Sequence, residues 1–481
     1  MSALKIFNTM SRRKEPFEPM TAGRVGMYVC GVTVYDECHL GHARSAIVFD
    51  VIRRYLEHRN LEVTFVKNFT DIDDKIIKRA QEQSLPWQAL TSRFIDAYYR
   101  DMVKLGVRPA TLEPKATEHV NEIIKLIQVL VAKGIAYQVD TDVYFHVKAF
   151  PRYGMLSKRK LDELQAGARV EIDERKRDPM DFALWKGAKP AEPAWDSPWG
   201  SGRPGWHIEC SAMSIRHLGE TLDIHGGGED LVFPHHENEI AQSEAATGKE
   251  FARYWVHNGM VTVDREKMSK SLGNFFTIRE IFEKFPASAQ VTAEILRFFL
   301  LSTHYRSPVD FSDAALRQAH AGLNNFYDLF KRLEERARDG SFKDAAVHGA
   351  PVSGTIGFEQ AMDDDFNTPL ALASLQRVRS DVNTRLQAGL SAHAAKDALS
   401  VFRTYGLILG LFQVPPSEWE FGQGEATASV MADAEIERLI EERHQARAKK
   451  DWARADALRQ ELAERGIMIE DRPDGSTRWK R

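Results

Sequence analysis

Three cysteines in 481 residues are too few for a disulfide framework, so stability must come from burial rather than cross-links. Each cysteine taken singly reads as a small buried hydrophobe. No apolar run approaches the roughly 20 residues that a membrane-spanning helix needs. The opening MSALKIFNTMSRRKEPF lacks the apolar stretch of a secretory signal. These absences speak against a disulfide-stapled secreted module and a helical membrane protein; a cytoplasmic location with no membrane partner is expected. The net charge of −4 gives no whole-chain attraction to nucleic acid, so such a partner would need a local basic face. No internal repeat is visible. What is present is ordinary globular material, 43% hydrophobic and 28% charged. It is longer than one core organises, so several domains are expected.

β-Branched and aromatic residues dominate GRVGMYVCGVTVYD (23–36), which predicts a strand. HLGHARSAIVFDVIRRYLEHRN (39–60) follows, with Ile47, Val51, Ile52 and Leu56 at helical spacing. EVTFVKNFTD (62–71) predicts the next strand. Strand, helix, strand implies a parallel sheet, whose ligands bind at the carboxyl ends of the strands. The expected class is α/β: a Rossmann-like parallel-sheet domain with an insertion, then a helical bundle domain and a small C-terminal mixed α/β domain. The expected divisions are 1–135 for the first half of the sheet domain and 136–224 for the insertion. Residues 225–315 form its second half and 316–414 the bundle. Residues 415–430 have linker composition, and 431–481 form the tail. The insertion is read as short strands (GIAYQVDTDVYFHV), then a Pro- and Trp-rich stretch ending in GWHIEC.

Three constellations carry chemistry. His39-Leu40-Gly41-His42 stands at a strand-to-helix junction. A helix N-terminus offers unpaired N–H groups and partial positive charge, which suit phosphate. Two imidazoles one turn apart add donors there, and Gly41 lets a flat base approach the backbone. Lys267-Met268-Ser269-Lys270-Ser271 follows a strand, and its mobile ammonium groups suit a triphosphate losing pyrophosphate. FPHHENEIAQ (233–242) places His235 and Glu239 four apart on one helix face. Pro234 suits the first helical position and Gly248 the C′ position. That pair is open to two readings, a metal site or a solvated ion pair.

HLGH with a distant downstream KMSKS resembles the signature pair of class I aminoacyl-tRNA synthetases. MYVCGVTVYDECHLGHAR, NFTDIDDKIIKRA, GWHIECSAM, DIHGGGEDLVFPHHENEIAQS and DREKMSKSLGNFF resemble cysteinyl-tRNA synthetases in particular. The resemblance runs essentially end to end. MDDDFNTP (362–369) is similar to that family's helical domain, and KDWARADALR with GIMIED to its tail. Leu40, in place of the commoner Ile, is a swap of similar volume.

The resemblance implies one Zn²⁺ per chain, held by Cys30, Cys210, His235 and Glu239. All four are good zinc ligands. His236 points about 100° away from His235 and is read as a support; Cys38 is left out. Cysteine must be told from serine, and a pocket that only fits shape discriminates weakly. A substrate thiolate bonding to zinc would do better. The resemblance further implies that His39, His42, Lys267 and Lys270 act in catalysis. It places Gly41, Gly227, Gly228, Asp230 and Lys270 at ATP, and Thr70, Trp206 and His225 around the amino acid. Gly226 to Gly228 are expected to form a loop. ATP with Mg²⁺, L-cysteine and tRNA(Cys) are the implied partners, and a monomer is expected. The tail would read the anticodon, with Arg443, Arg447, Lys449, Lys450, Arg454 and Arg459 for phosphates. Trp452 shares a helix face with Ala455, Leu458 and Leu462; it reads as a core aromatic, or else as one that stacks a base. An amino-sugar ligase of the mycothiol type would share the catalytic part and zinc site, but MDDDFNTP and KDWARADALR argue against it. Intact signatures argue against a non-catalytic RNA-binding paralogue.

Overall fold

The computed structural model describes residues 3–159, 175–263, 266–268, 274–285, 287–338, 355–419, 433–449, 451–464, 467–471 and 477–480. It divides into two compact units, Met1–Phe421 and Gly422–Arg481.

A hairpin of β1 (Lys5–Asn8) and β2 (Arg13–Pro16) leads into β3 (Arg24–Thr33), α1 (Leu40–His58) and β4 (Glu62–Thr70). Helices α2 (Asp74–Glu82), α3 (Trp87–Lys104) and α4 (Val120–Ala132) follow. An antiparallel sheet of β5 (Ala136–Val139), β6 (Asp142–Phe145), β7 (Phe182–Gly187) and β8 (Gly202–Pro204) then interrupts the parallel one. The chain returns through α5 (Trp206–Leu218), β9 (Leu222–Gly228), α6 (Glu237–Thr247) and β10 (Ala252–Asn258).

The parallel sheet has the order β10-β9-β3-β4. The chain steps from β3 to β4 on one side and later adds β9 and β10 on the other. The strand order therefore reverses between β3 and β9, which opens a crevice at their carboxyl ends. Alternation along β3 assigns its faces: Met27 and Val29 join one core with Ile47, Val51 and Leu56 of α1. Tyr28 and Cys30 join the other core with Cys210, Ile208 and Trp255. The ladder between β3 and β4 slips between Val29 and Val32. At that bulge Gly31 lies so close to β4 that a Cβ would fall 1.6 Å from the Asn68 carbonyl oxygen.

Three readings of the sequence are corrected here. The stretch from Trp206 is helical: α5 rises from the Gly205 N-cap and packs on α6 and the parallel sheet. Gly226, Gly227 and Gly228 end strand β9, paired with Val256, His257 and Asn258, rather than forming a loop. The regular helix after Pro234 starts at Glu237, because His235 and His236 close a wider turn, Val232–His236. Gly248 does cap α6 in the left-handed region, with φ 75°. The division drawn at residue 225 falls inside β9.

Beyond β10, β11 (Val261–Val263) pairs with β12 (Glu266–Lys267) and β13 (Val309–Phe311). Helices α7 (Ile278–Lys284), α8 (Ala289–Leu301), α9 (Asp313–Arg338), α10 (Thr355–Asp363), α11 (Thr368–Gln387) and α12 (Ala392–Leu409) complete this unit. MDDDFNTP is its clasp. Asp363 accepts from Tyr55 Oη of α1 at 2.6 Å, Asp364 pairs with Lys14 at 2.8 Å, and Asp365 pairs with Arg306 at 2.7 Å. Asn367 then caps α11. Packing continues past residue 414, since Trp419 stacks on Tyr327 at 3.8 Å.

In the second unit α13 (Asp433–Ala448) packs on α14 (Trp452–Glu464), beside a hairpin of β14 (Met468–Asp471) and β15 (Thr477–Lys480). Ile436, Leu439, Leu458, Leu462 and Ile467 fill its core. Trp452 is 59% exposed, against its reading as a core aromatic. It is the first residue of α14, so no preceding turn covers it. Arg443 is buried at 4%, which removes it from the expected phosphate contacts. Arg447, Lys449, Arg454 and Arg459 are exposed, and Lys450 lies outside the described residues. No described helix is long and apolar enough to cross a membrane.

Candidate active site

His39 caps α1 from an extended conformation, φ −112° and ψ 174°. Its Nδ1 accepts from the Gly41 N–H at 3.0 Å, and His42 Nδ1 accepts from the His39 N–H at 3.3 Å. Each neutral ring therefore carries its proton on Nε2 and presents a donor. The rings stack at 3.8 Å. Burial, then the charges of His39 and Lys67, hold His42 well below the ordinary histidine range, so it is neutral near pH 7. A Cβ on Gly41 would lie 2.8 Å from the His39 ring, so the capped geometry itself calls for glycine.

The segment just after KMSKS lies alongside this helix end. Leu40 N–H donates to the Phe276 carbonyl at 3.2 Å, and Ile278 N–H to the Cys38 carbonyl at 2.9 Å. Phe275 meets the His39 ring edge-on at 5.1 Å. Lys267 sits on β12, with no description of its side chain, and Lys270 lies outside the described residues.

Across the crevice, β3, α5, the turn before α6 and α6 itself deliver Cys30, Cys210, His235 and Glu239. All four are buried, and their ligand atoms lie within 4.8 Å of one another. Glu239 Oε1 stands 3.2 Å from Cys30 Sγ and 3.0 Å from His235 Nε2. A tetrahedral zinc site places neighbouring ligand atoms about 3.3–3.8 Å apart. Two thiols, an imidazole and a carboxylate, buried together with their ligand atoms within 4.8 Å of one another, fit Zn²⁺ in chemistry and lie near this spacing. A second set, Cys30, His225, His236 and Glu239, also closes within 4.8 Å, but it holds only one thiol.

The electrostatics are those of anions packed out of water. Burial, then Cys210, pushes the Cys30 thiol well up. Cys210 is pulled down to about 6 by hydrogen bonding from Cys30 and by His235, against its burial. Burial would lower His235, but Glu239 and Cys210 raise it to about 10. Glu239 sits well below the usual carboxylate range because His225 and His235 outweigh its burial. One cation of higher charge would satisfy these groups together.

His225 stacks on Tyr28 at 5.3 Å and places Nε2 3.3 Å from Glu239 Oε2. Trp206, 37% exposed, stacks on His235 at 4.3 Å and covers the ligand from outside. Thr70 is buried at the end of β4, where Asn68 Nδ2 reaches its hydroxyl at 3.4 Å. Asp230 is exposed just beyond Gly228.

Sequence reasoning named His236 as a support but missed His207, His257 and Glu209. His207 meets His235 Nδ1 to Nδ1 at 2.8 Å, which orients the ring so that Nε2 faces Glu239 at 3.0 Å. His236 Nδ1 contacts His257 Nε2 at 2.7 Å, and His257 reaches Thr9 at 2.8 Å. Glu209, next to Cys210, is fully buried; burial first, then Cys210, Asp71 and Asp73, pushes it well up. Spacing to Trp206 and Cys210 on one helix could have flagged His207; the others meet only through the fold.

The chain is similar to known proteins along essentially its whole length. Residues 16–321 match the family model described as tRNA synthetases class I (C) catalytic domain. Residues 357–413 match the DALR domain, and 431–479 the cysteinyl-tRNA ligase anticodon binding domain. The chain is 54% identical to the cysteine–tRNA ligase of Geobacter sulfurreducens over 485 residues, covering 99% of each. It is 53% identical to that of Heliobacterium modesticaldum over 491 residues, covering 100% of each. Among solved structures, Mycobacterium tuberculosis methionyl-tRNA synthetase with methionyl-adenylate superposes with a TM-score of 0.61 at 17% identity. That likeness covers 82% of this chain and 95% of the other, and it shows the shared fold. On the catalytic, helical and anticodon-binding matches and on full-length relatives above half identity, the chain belongs to the cysteine–tRNA ligase family of class I aminoacyl-tRNA synthetases.

Proposed function

We propose that this chain activates L-cysteine with ATP, giving cysteinyl-adenylate and pyrophosphate, and then transfers cysteine to the 3′ end of tRNA(Cys). The observation that carries the reading is the buried set of two thiols, an imidazole and a carboxylate on the same parallel sheet whose strand β3 leads into the HLGH helix. In activation the cysteine carboxylate attacks the α-phosphate, and the bond to pyrophosphate breaks. His39 and His42 offer their Nε2–H groups, with the N-terminus of α1, to the charge growing on the α-phosphate. Lys267 and Lys270 grip the leaving pyrophosphate, where Mg²⁺, when bound, would add positive charge. Gly41, Gly227, Gly228 and Asp230 border the nucleotide.

Cys30, Cys210, His235 and Glu239 would hold Zn²⁺, and Thr70, Trp206 and His225 would surround the amino acid. When bound, that ion supplies a soft Lewis acid that prefers a thiolate to a hydroxyl. His207 keeps His235 aimed, and Trp206 keeps water from its ring. Residues 316–414 and 431–481 bind the tRNA, with Trp452 free to stack a base. The chain acts as a monomer in the cytoplasm. The test is ATP–pyrophosphate exchange driven by cysteine and by serine, followed by transfer to tRNA. Exchange with cysteine, none with serine at equal concentration, and charging of tRNA(Cys) are expected. Exchange without transfer, or equal use of serine, would overturn the reading.

A further inference from the structure

Glu209 has no part in the mechanism above. Its side chain is 0% exposed, and among the described residues the Thr70 hydroxyl is the one side-chain donor turned toward it and no cation pairs with it. The acids around it are already engaged. Asp71 accepts from the Thr117 N–H at 3.0 Å and its hydroxyl at 2.6 Å, and Asp73 caps Lys75 N–H at 2.8 Å. The Thr70 hydroxyl lies beside Glu209, and Cys210 is the next residue along α5. A carboxyl group buried with no countercharge is costly to keep, so its presence implies a cationic partner that arrives later.

The amino-acid substrate supplies such a partner. Its ammonium stands one Cβ–Cα step from the sulfur, so a site that holds sulfur between Cys30 and Cys210 brings the ammonium close to this corner of the crevice. We propose that Glu209 is the anionic anchor for the α-ammonium group of the amino acid, with the Thr70 hydroxyl alongside. This rests on the reading of the site as a cysteine site. It adds a second recognition element: the metal-binding corner reads the thiol, and Glu209 reads the charge at Cα.

The experiment compares L-cysteine with 3-mercaptopropionate, which keeps thiol and carboxylate but lacks the ammonium. Both are measured on zinc-loaded wild type and Glu209→Gln, cysteine by KM in ATP–pyrophosphate exchange and 3-mercaptopropionate by its inhibition constant. Glu209→Gln should weaken cysteine about 10- to 100-fold, as expected for a charged hydrogen bond. It should leave 3-mercaptopropionate within about twofold, which also shows that the variant is folded. Equal weakening of both ligands, or no weakening of either, would overturn the proposal. A wild type that does not bind 3-mercaptopropionate strikes at thiol recognition instead; the ammonium claim then stands or falls on whether Glu209→Gln loses cysteine while keeping its zinc.

Discussion

Gly31→Ala is the sharpest perturbation the fold offers. The added Cβ would start 1.6 Å from the Asn68 carbonyl oxygen, a backbone atom held in the β4 ladder. Contacts under 3.0 Å are essentially never tolerated, so β3 and β4 must part locally by about 1.4 Å. Gly31 N–H also donates to Asn68 Oδ1 at 2.8 Å, and that bond would stretch with the strands. Cys30 is the preceding residue. Zinc ligands hold their distances to about 0.2 Å, so a shift of this size takes Cys30 out of the set. The variant should lose stoichiometric zinc and cysteine-dependent exchange, and about 2–4 kcal/mol of stability in urea titration. Gly248→Ala is the control: its φ is 75° and nothing lies within 4 Å of its Cβ position. It should cost about 1 kcal/mol through backbone strain and keep both metal and rate. A Gly31→Ala protein with full zinc and normal exchange would refute the close-approach argument.

Lys270→Ala should slow pre-steady-state adenylate formation by about 100-fold or more with cysteine affinity nearly unchanged; an unaltered burst rate would remove Lys270 from the reaction. Deleting residues 430–481 should spare ATP–pyrophosphate exchange and weaken tRNA charging, since that segment lies in a separate compact unit. Trp452→Ala alone should weaken charging with less than about 0.5 kcal/mol change in stability, given its exposure; equal loss of exchange and charging would make the tail a folding element. Burial holds His320 at about 4, below its ordinary 6.5. The unfolded chain therefore takes up that proton first as pH falls, and stability drops between about pH 6.5 and 4. His320→Gln should flatten this slope by about 1–2 kcal/mol in total, allowing for partial exposure. Parallel curves for the two proteins would show that His320 does not contribute.

The features legible in the sequence are local ones. Strand β3, α1 and β4 follow from the β-branched and aromatic residues of GRVGMYVCGVTVYD and EVTFVKNFTD and from the helical period of Ile47, Val51 and Leu56. Pro204, Gly205 and the nearby tryptophans hid α5, because breaker residues next to a helix start look like loop. Cys30, Cys210, His235 and Glu239 are grouped through family resemblance rather than by spacing, since Cys30 and Glu239 meet only once β3 and α6 pack together. The Gly31 approach to Asn68, the His236–His257 contact and the placement of Glu209 beside Thr70 depend on residues far apart in the chain, where no periodic pattern reaches. Trp452 shows the limit of periodicity: it repeats with Ala455 and Leu458, yet as the first residue of its helix it lies in solvent.

The most direct test of the central claim is the metal content of the purified protein set against its rate. One Zn²⁺ per chain is expected, with cysteine-driven exchange lost on chelation, regained with zinc, and absent from Cys30→Ser and His235→Asn proteins that also fail to retain the ion. Zinc-free protein that activates cysteine at full rate and still refuses serine would contradict the account.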